Sequence, residues 1–160
     1  MNKTLKLLSI YGVLACLVIL SGCGKPHTEK LTGLVVINVL DKQLYDDCHI
    51  KGSISIPFEQ LTEEIEKKVD KNAEVILYCS NYMCASSGYG CRKLTDLGYT
   101  NVSVYEGGTA EWFQENLPVE GPAHQKYLQR KLTPPEHVDD TEGICVITVD
   151  ELAAKLGCAK

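Results

Sequence analysis

The sequence predicts an α/β fold with a mostly parallel central sheet flanked by helices, and three observations carry that expectation. Apolar, strand-like runs alternate with segments of helical spacing over several successive units, as strands and crossover helices do in parallel sheets. Two of the runs, residues 34–40 and 75–78, are almost continuously apolar, the pattern of strands buried on both faces. The second run feeds directly into Cys79, a short polar loop and a helical pattern. That junction is where sheets of this kind bind ligands, beyond the carboxyl ends of their strands.

Taken in order, residues 34–40 (Leu-Val-Val-Ile-Asn-Val-Leu) form the first strand and 42–47 a brief helical turn. Residues 49–57 give a loop and a short strand stopped by Pro57, because proline cannot extend a hydrogen-bonded ladder. Between Phe58 and Val69 the apolar residues Leu61, Ile65 and Val69 recur at helical spacing with Glu and Lys between them, so this is an amphipathic helix. The strand 75–78 and its loop lead into a helix over 87–97, closed by Gly98. Val102 and Val104 alternate in a strand over 101–105, after which Glu106-Gly107-Gly108 turns the chain into a short helix over 110–116. Residues 121–143 are polar and loop-like, with a candidate helix over 125–132. Residues 144–156 then pattern as a strand, an N-cap at Asp150 and a helix.

The chain has 160 residues, 44% of them hydrophobic, enough for one ordinary domain with a core. Its net charge of −5, with no basic patch interleaved with aromatic residues, argues against a nucleic-acid partner. The beginning is of another character. Lys3 and Lys6 precede an apolar run over 7–20, too short to span a membrane comfortably and of the length of a signal-peptide core. It ends in Leu20-Ser21-Gly22-Cys23, which resembles a bacterial lipobox. That resemblance implies cleavage before Cys23 and lipidation of its thiol, with residues 23–32 as a tether. The expected location is the bacterial cell envelope, extracytoplasmic and bound to the membrane through Cys23. Gly24 points to the periplasmic face of the outer membrane if the host has two membranes. Loss of residues 1–22 removes Lys3, Lys6 and Cys16, taking the charge from −5 to −7.

Six cysteines lie beyond Cys23: Cys48, Cys79, Cys84, Cys91, Cys145 and Cys158. An even number in an exported protein is compatible with disulfides, and Cys145 with Cys158 is one candidate pair. There is no C-x-x-C-H haem motif and no common zinc spacing, so no metal and no cofactor is expected. Cys79 has two readings. It ends a core strand as a buried apolar residue, or it faces the first turn of the following helix, where free N–H groups and the helix dipole favour the thiolate nucleophile.

Asn38-Val39-Leu40, Tyr45, His49-Ile50-x-Gly52-Ser53-x-x-Ile56-Pro57, Tyr78-Cys79, Leu97-Gly98-Tyr99-x-Asn101-Val102, Glu106-Gly107-Gly108-x-x-x-Trp112 and Leu117-Pro118-Val119 follow one another in order. This series resembles the successive signatures of a single-domain rhodanese, over about residues 33–120. The resemblance implies a sulfurtransferase in which Cys79 is catalytic. Its thiolate takes sulfane sulfur from a small donor such as thiosulfate or a polysulfide, becomes a persulfide, and passes the sulfur to a thiophilic acceptor such as cyanide or a protein thiol. Loop amides across Ser80, Asn81, Tyr82, Met83, Cys84, Ala85, Ser86 and Ser87 would cradle the substrate anion. Ser86 and Ser87 are expected chiefly to cap the helix.

The chain departs from that family in ways that bear on chemistry. The loop is about two residues longer than the commonest form and lacks its usual basic residue, near where Ser86 stands. A widened loop in this fold is associated with phosphatase or arsenate chemistry, but that needs an arginine clamp, and Arg92 lies well into the helix. Cys84, five positions after Cys79, is a candidate resolving or redox partner able to form a Cys79–Cys84 disulfide. Two other functions therefore stand beside sulfur transfer: a thiol-disulfide redox or sensing module using both cysteines, and a non-catalytic binding module that keeps only the fold. Asn38 and Leu40 replace the usual Asp and Arg, Cys48 replaces a glycine, His49 is expected to be structural, and Trp112 and Cys91 to be core. A domain of this family normally begins with a strand and helix that are lacking between Cys23 and Leu34. The segment 144–160 is expected to fold back and supply them, in effect a circular permutation, or else to pack as an appendage.

Overall fold

The parallel sheet is assembled around the two most apolar strands. In the computed structural model, which describes residues 29–131, 133–134 and 141–158, β1 (Leu34–Asn38) and β4 (Glu74–Tyr78) lie side by side at its centre. The proposed signal peptide, Cys23 and most of the tether lie outside the described residues, as does part of the 121–143 segment. Between the two central strands come α1 (Lys42–Asp47), β2 (His49–Ile50), β3 (Ile54–Ser55) and, after a 3-10 turn at Phe58–Gln60, α2 (Leu61–Lys68). After β4 come α3 (Ser86–Asp96), β5 (Val102–Tyr105), α4 (Gly108–Gln114), β6 (Val119–Glu120), a 3-10 turn at Lys126–Gln129, β7 (Cys145–Val146) and α5 (Val149–Lys155). The sheet order is β3-β1-β4-β5-β7, every neighbouring pair parallel, while β2 and β6 form a separate antiparallel pair.

Strand periodicity sorts the core into two layers, since alternate side chains point to opposite faces. Val35, Ile37, Val75 and Leu77 pack with Leu61 and Ile65 of α2 and Cys91 and Leu94 of α3. Val36, Ile76, Tyr78 and Tyr105 pack on the other face with Trp112 of α4 and Leu152 of α5. Helix α3 approaches the sheet closely because Gly90 has no side chain: a Cβ there would meet Leu77 Cδ2 at 2.6 Å.

The tail completes the sheet. β7 runs parallel to β5, pairing Ser103 with Cys145 and Val104 with Val146, and α5 buries Leu152 and Ala153 against the face carrying Trp112. This is the fold-back arrangement, with a strand and helix late in the chain at the sheet edge. The helix begins earlier than the sequence suggests. Thr148, not Asp150, is the N-cap, and Thr148 and Glu151 form a reciprocal capping box. Cys145 and Cys158 are both free thiols, so the pairing suggested for them is not made.

The segment before the tail does not form the helix considered for 125–132, beyond its 3-10 turn. Asp47 receives the amides of His124 and Gln125 on its carboxylate, each at 3.1 Å, and Gln114 donates to the Leu128 carbonyl at 2.8 Å. Buried Leu128 completes this strap. Ahead of β1, Leu31 exchanges backbone bonds with Lys68 and Asp70 beside α2.

Candidate active site: a two-cysteine loop at the end of β4

Strand β4 delivers Cys79 to the carboxyl edge of the sheet, and residues 80–85 carry the chain into α3. Two hydrogen bonds from the start of α4 fix the loop's entry: Thr109 N donates to the Cys79 carbonyl at 3.0 Å and Ala110 N to the Ser80 carbonyl at 2.9 Å. This close approach requires Gly108. Its φ is 62°, and a Cβ would lie 2.5 Å from the Cys79 carbonyl oxygen and 2.7 Å from Asn81 N. The Glu106-Gly107-Gly108 turn is therefore a clamp on the cysteine loop.

Within the loop, Asn81 makes the turn. Its side-chain oxygen accepts from Met83 N at 2.9 Å and its carbonyl from Cys84 N at 3.0 Å. Met83 is exposed at the tip. Tyr82 leans away from the cysteines and donates to Glu111 Oε1 at 2.7 Å, while Tyr105 donates to the other carboxylate oxygen at 2.8 Å. Glu111 thus joins loop, sheet and α4. Its identity as a tie was invisible in the sequence, where only its place beside Trp112 marked it.

The two sulfurs have different polar partners. Cys79 is fully buried, and its thiol donates to the Cys84 carbonyl at 2.9 Å. Ser87, 2% exposed, donates its hydroxyl to Cys79 Sγ at 3.3 Å. Cys84 is half-buried and receives the amides of Ser86 and Ser80 and the Ser86 hydroxyl. Ser86 and Ser87 consequently act on the cysteines; Ala85 occupies the N-cap position of α3 without any side-chain cap, contrary to the capping role expected for the serines.

This arrangement reverses the expected proton distribution. The hydrogen bond to Cys84 and burial hold Cys79 well above the usual thiol range. Cys84 is pulled down to about 5, first by the Cys79 thiol and then by the Ser86 and Ser80 donors. A carbonyl oxygen facing Cys79 Sγ can only accept, so it too keeps the proton there. Of the loop amides expected to cradle an anion, Met83 N and Cys84 N are bound to Asn81 within the turn. Burial and the facing carbonyl thus favour the proton on Cys79 and make Cys84 the more acidic of the two.

Neighbouring residues divide between scaffold and surface. His49 stacks on Tyr45 with ring centroids 3.8 Å apart and bonds the Tyr45 carbonyl through Nδ1, a structural role as expected. Trp112 is core, its indole N–H held by the Pro118 carbonyl at 2.9 Å. Cys91 and Cys48 are fully buried, their thiols pushed up to about 12 and about 11 by desolvation. Beside the loop, a polar cleft of about 190 Å³ is lined by Asn81, Tyr82, Glu111, Gln114, Arg130 and Lys131, among others. Arg130 and Lys131 of the strap thus stand with Glu111 and Glu115 in a cleft beside the loop, a placement with no local signal in the sequence.

A family model described as the rhodanese-like domain matches residues 25–115. The chain belongs to the rhodanese-like domain family. Thiosulfate sulfurtransferase PspE of Escherichia coli is 36% identical over 67 residues, a match spanning 41% of this chain and 62% of that protein. Thiosulfate sulfurtransferase GlpE of Coxiella burnetii is 29% identical over 83 residues, 52% of this chain and 75% of the relative. A Bacillus halodurans protein of known crystal structure superposes on this rhodanese-like chain with a TM-score of 0.53 at 34% identity, covering 57% of this chain and 66% of that one. A rhodanese-like domain from an Anabaena protein gives 0.51 at 26% identity over 55% of this chain and 99% of the domain. The sheet with helices on both faces is common to this chain and these neighbours.

Proposed function

We propose that the protein is a sulfurtransferase or sulfane-sulfur carrier that forms a persulfide on Cys79. The observation that carries this reading is the position of Cys79 Sγ at the end of β4, held by the Ser87 hydroxyl at 3.3 Å and by the Cys84 carbonyl at 2.9 Å. The relatives named thiosulfate sulfurtransferases support the same reaction class.

In the proposed reaction Cys79 passes its proton to the Cys84 thiolate as its sulfur attacks the sulfane sulfur of thiosulfate or a polysulfide. Sulfite, or the shortened polysulfide, departs. The Ser87 hydroxyl and amide stabilise the anion that develops at the base of the loop. The persulfide's outer sulfur then goes to a thiophilic acceptor, cyanide or a thiol. Arg130 and Lys131 at the neighbouring cleft favour approach of an anionic donor. The Leu20-Ser21-Gly22-Cys23 stretch supports placing this activity on a lipid anchor at the bacterial cell envelope. The test is thiocyanate formation from thiosulfate and cyanide by the full-length chain. Cys79→Ser abolishes it if the reading holds; undiminished turnover in that variant refutes it.

A further inference from the structure

We propose that Cys84 resolves the Cys79 persulfide, so that the loop reduces sulfane sulfur to sulfide and is left as a Cys79–Cys84 disulfide. This rests on the persulfide reading above and assigns its product.

Three features of the loop point this way. The Cys79 sulfur lies 2.9 Å from the Cys84 carbonyl, so residue 84 packs directly on the sulfur that would carry the persulfide before any acceptor arrives. The turn at Asn81 folds Cys84 back over Cys79, its amide bound to the Asn81 carbonyl at 3.0 Å. This juxtaposition makes the step intramolecular, with the large effective concentration that confers. Exposure is also asymmetric: Cys79 is 0% exposed and Cys84 is half-buried. An external acceptor has no exposed surface of Cys79 to approach, whereas Cys84 is already in place.

The step balances. After sulfur capture, Cys79 carries a persulfide anion and Cys84 holds the proton it received from Cys79. Cys84 sulfur bonds to Cys79 Sγ, the bond between Cys79 Sγ and the outer sulfur breaks, and the outer sulfur leaves with the Cys84 proton as hydrosulfide. Two thiol sulfurs are oxidised to the disulfide, and the sulfane sulfur is reduced to sulfide. A dithiol reductant, or two equivalents of a small thiol, returns the loop to its reduced state by thiol-disulfide exchange.

The test uses the full-length chain, reduced, freed of reductant and exposed to thiosulfate anaerobically. Released sulfide is measured alongside intact mass, with Cys84→Ser, Cys84→Ala and Cys79→Ser variants in parallel. The wild type is expected to release sulfide without added thiol and to lose two hydrogens, with residues 79 and 84 joined on peptide mapping. Both Cys84 variants are expected to lose sulfide release and, with solvent taking the Cys79 proton, to acquire sulfur on Cys79 more slowly and to retain it. A wild type that keeps the added sulfur and releases no sulfide overturns the resolving role while leaving the persulfide intact. Absence of added sulfur in both Cys84 variants, with none released by the wild type, overturns the persulfide reading itself.

Discussion

The Cys79 thiol donates to the Cys84 carbonyl oxygen, 2.9 Å away, at the base of the loop that carries both cysteines. That contact inverts the usual assignment of proton and charge in a strand-end cysteine loop. The buried cysteine is the acid and the half-exposed one the anion.

Alkylation should report this division. Cys84, lowered to about 5, is expected to react with iodoacetamide at a rate that stays nearly constant as pH falls from 8 to 6, whereas an ordinary thiol loses about tenfold per pH unit over that range. Cys79 is expected to lag at every pH below its raised value. Peptide mapping of the modified residues checks both.

Stability carries the same signature. A thiol whose pKa falls from 9.0 when unfolded to about 5 when folded binds fewer protons in the native state between those values, so its contribution to stability is fully present above 9 and is lost as pH falls through 5. Subtracting the Cys84→Ser melting curve from that of the reduced wild type is therefore expected to give a difference that grows from pH 5 towards 9.

Gly108→Ala tests the clamp. A left-handed alanine costs about 1–2 kcal/mol in backbone strain, and its methyl group would displace the Cys79 carbonyl. Loss of thiosulfate sulfur transfer is expected to exceed the loss of stability measured by urea denaturation, because the displaced atoms belong to the cysteine loop.

Leu152→Ala tests the tail. Leu152 is fully buried against the face that holds Trp112, and removal of a buried leucine side chain costs about 2–5 kcal/mol. A drop of that size in urea denaturation is expected from a tail integral to the sheet; an unchanged midpoint would mean that α5 contributes nothing to the domain.

Much of this architecture was legible because apolar pattern and turn chemistry agree. The continuous runs of β1 and β4 announce a parallel sheet, and the late run ending in Val146 announces the extra strand. The site was legible as a place, the end of β4, but not as an electrostatic arrangement. Which sulfur holds the proton depends on which loop amides the Asn81 turn consumes and on the Cys84 carbonyl, and these are backbone facts with no residue code. Ser86 and Ser87 pattern as helix caps in sequence because the same donors at a helix start serve backbone or sulfur equally well. Glu111, Arg130 and Lys131 reach the site through tertiary packing across α4 and the strap, which no local pattern encodes.

The central claim, a persulfide on Cys79, is tested most directly by exposing the Cys84→Ser full-length chain to thiosulfate and measuring its intact mass, then capping and mapping the modified residue. A gain of one sulfur atom is expected, located on Cys79 and absent from the Cys79→Ser, Cys84→Ser double variant. No gain, or a gain located on another cysteine, would contradict it.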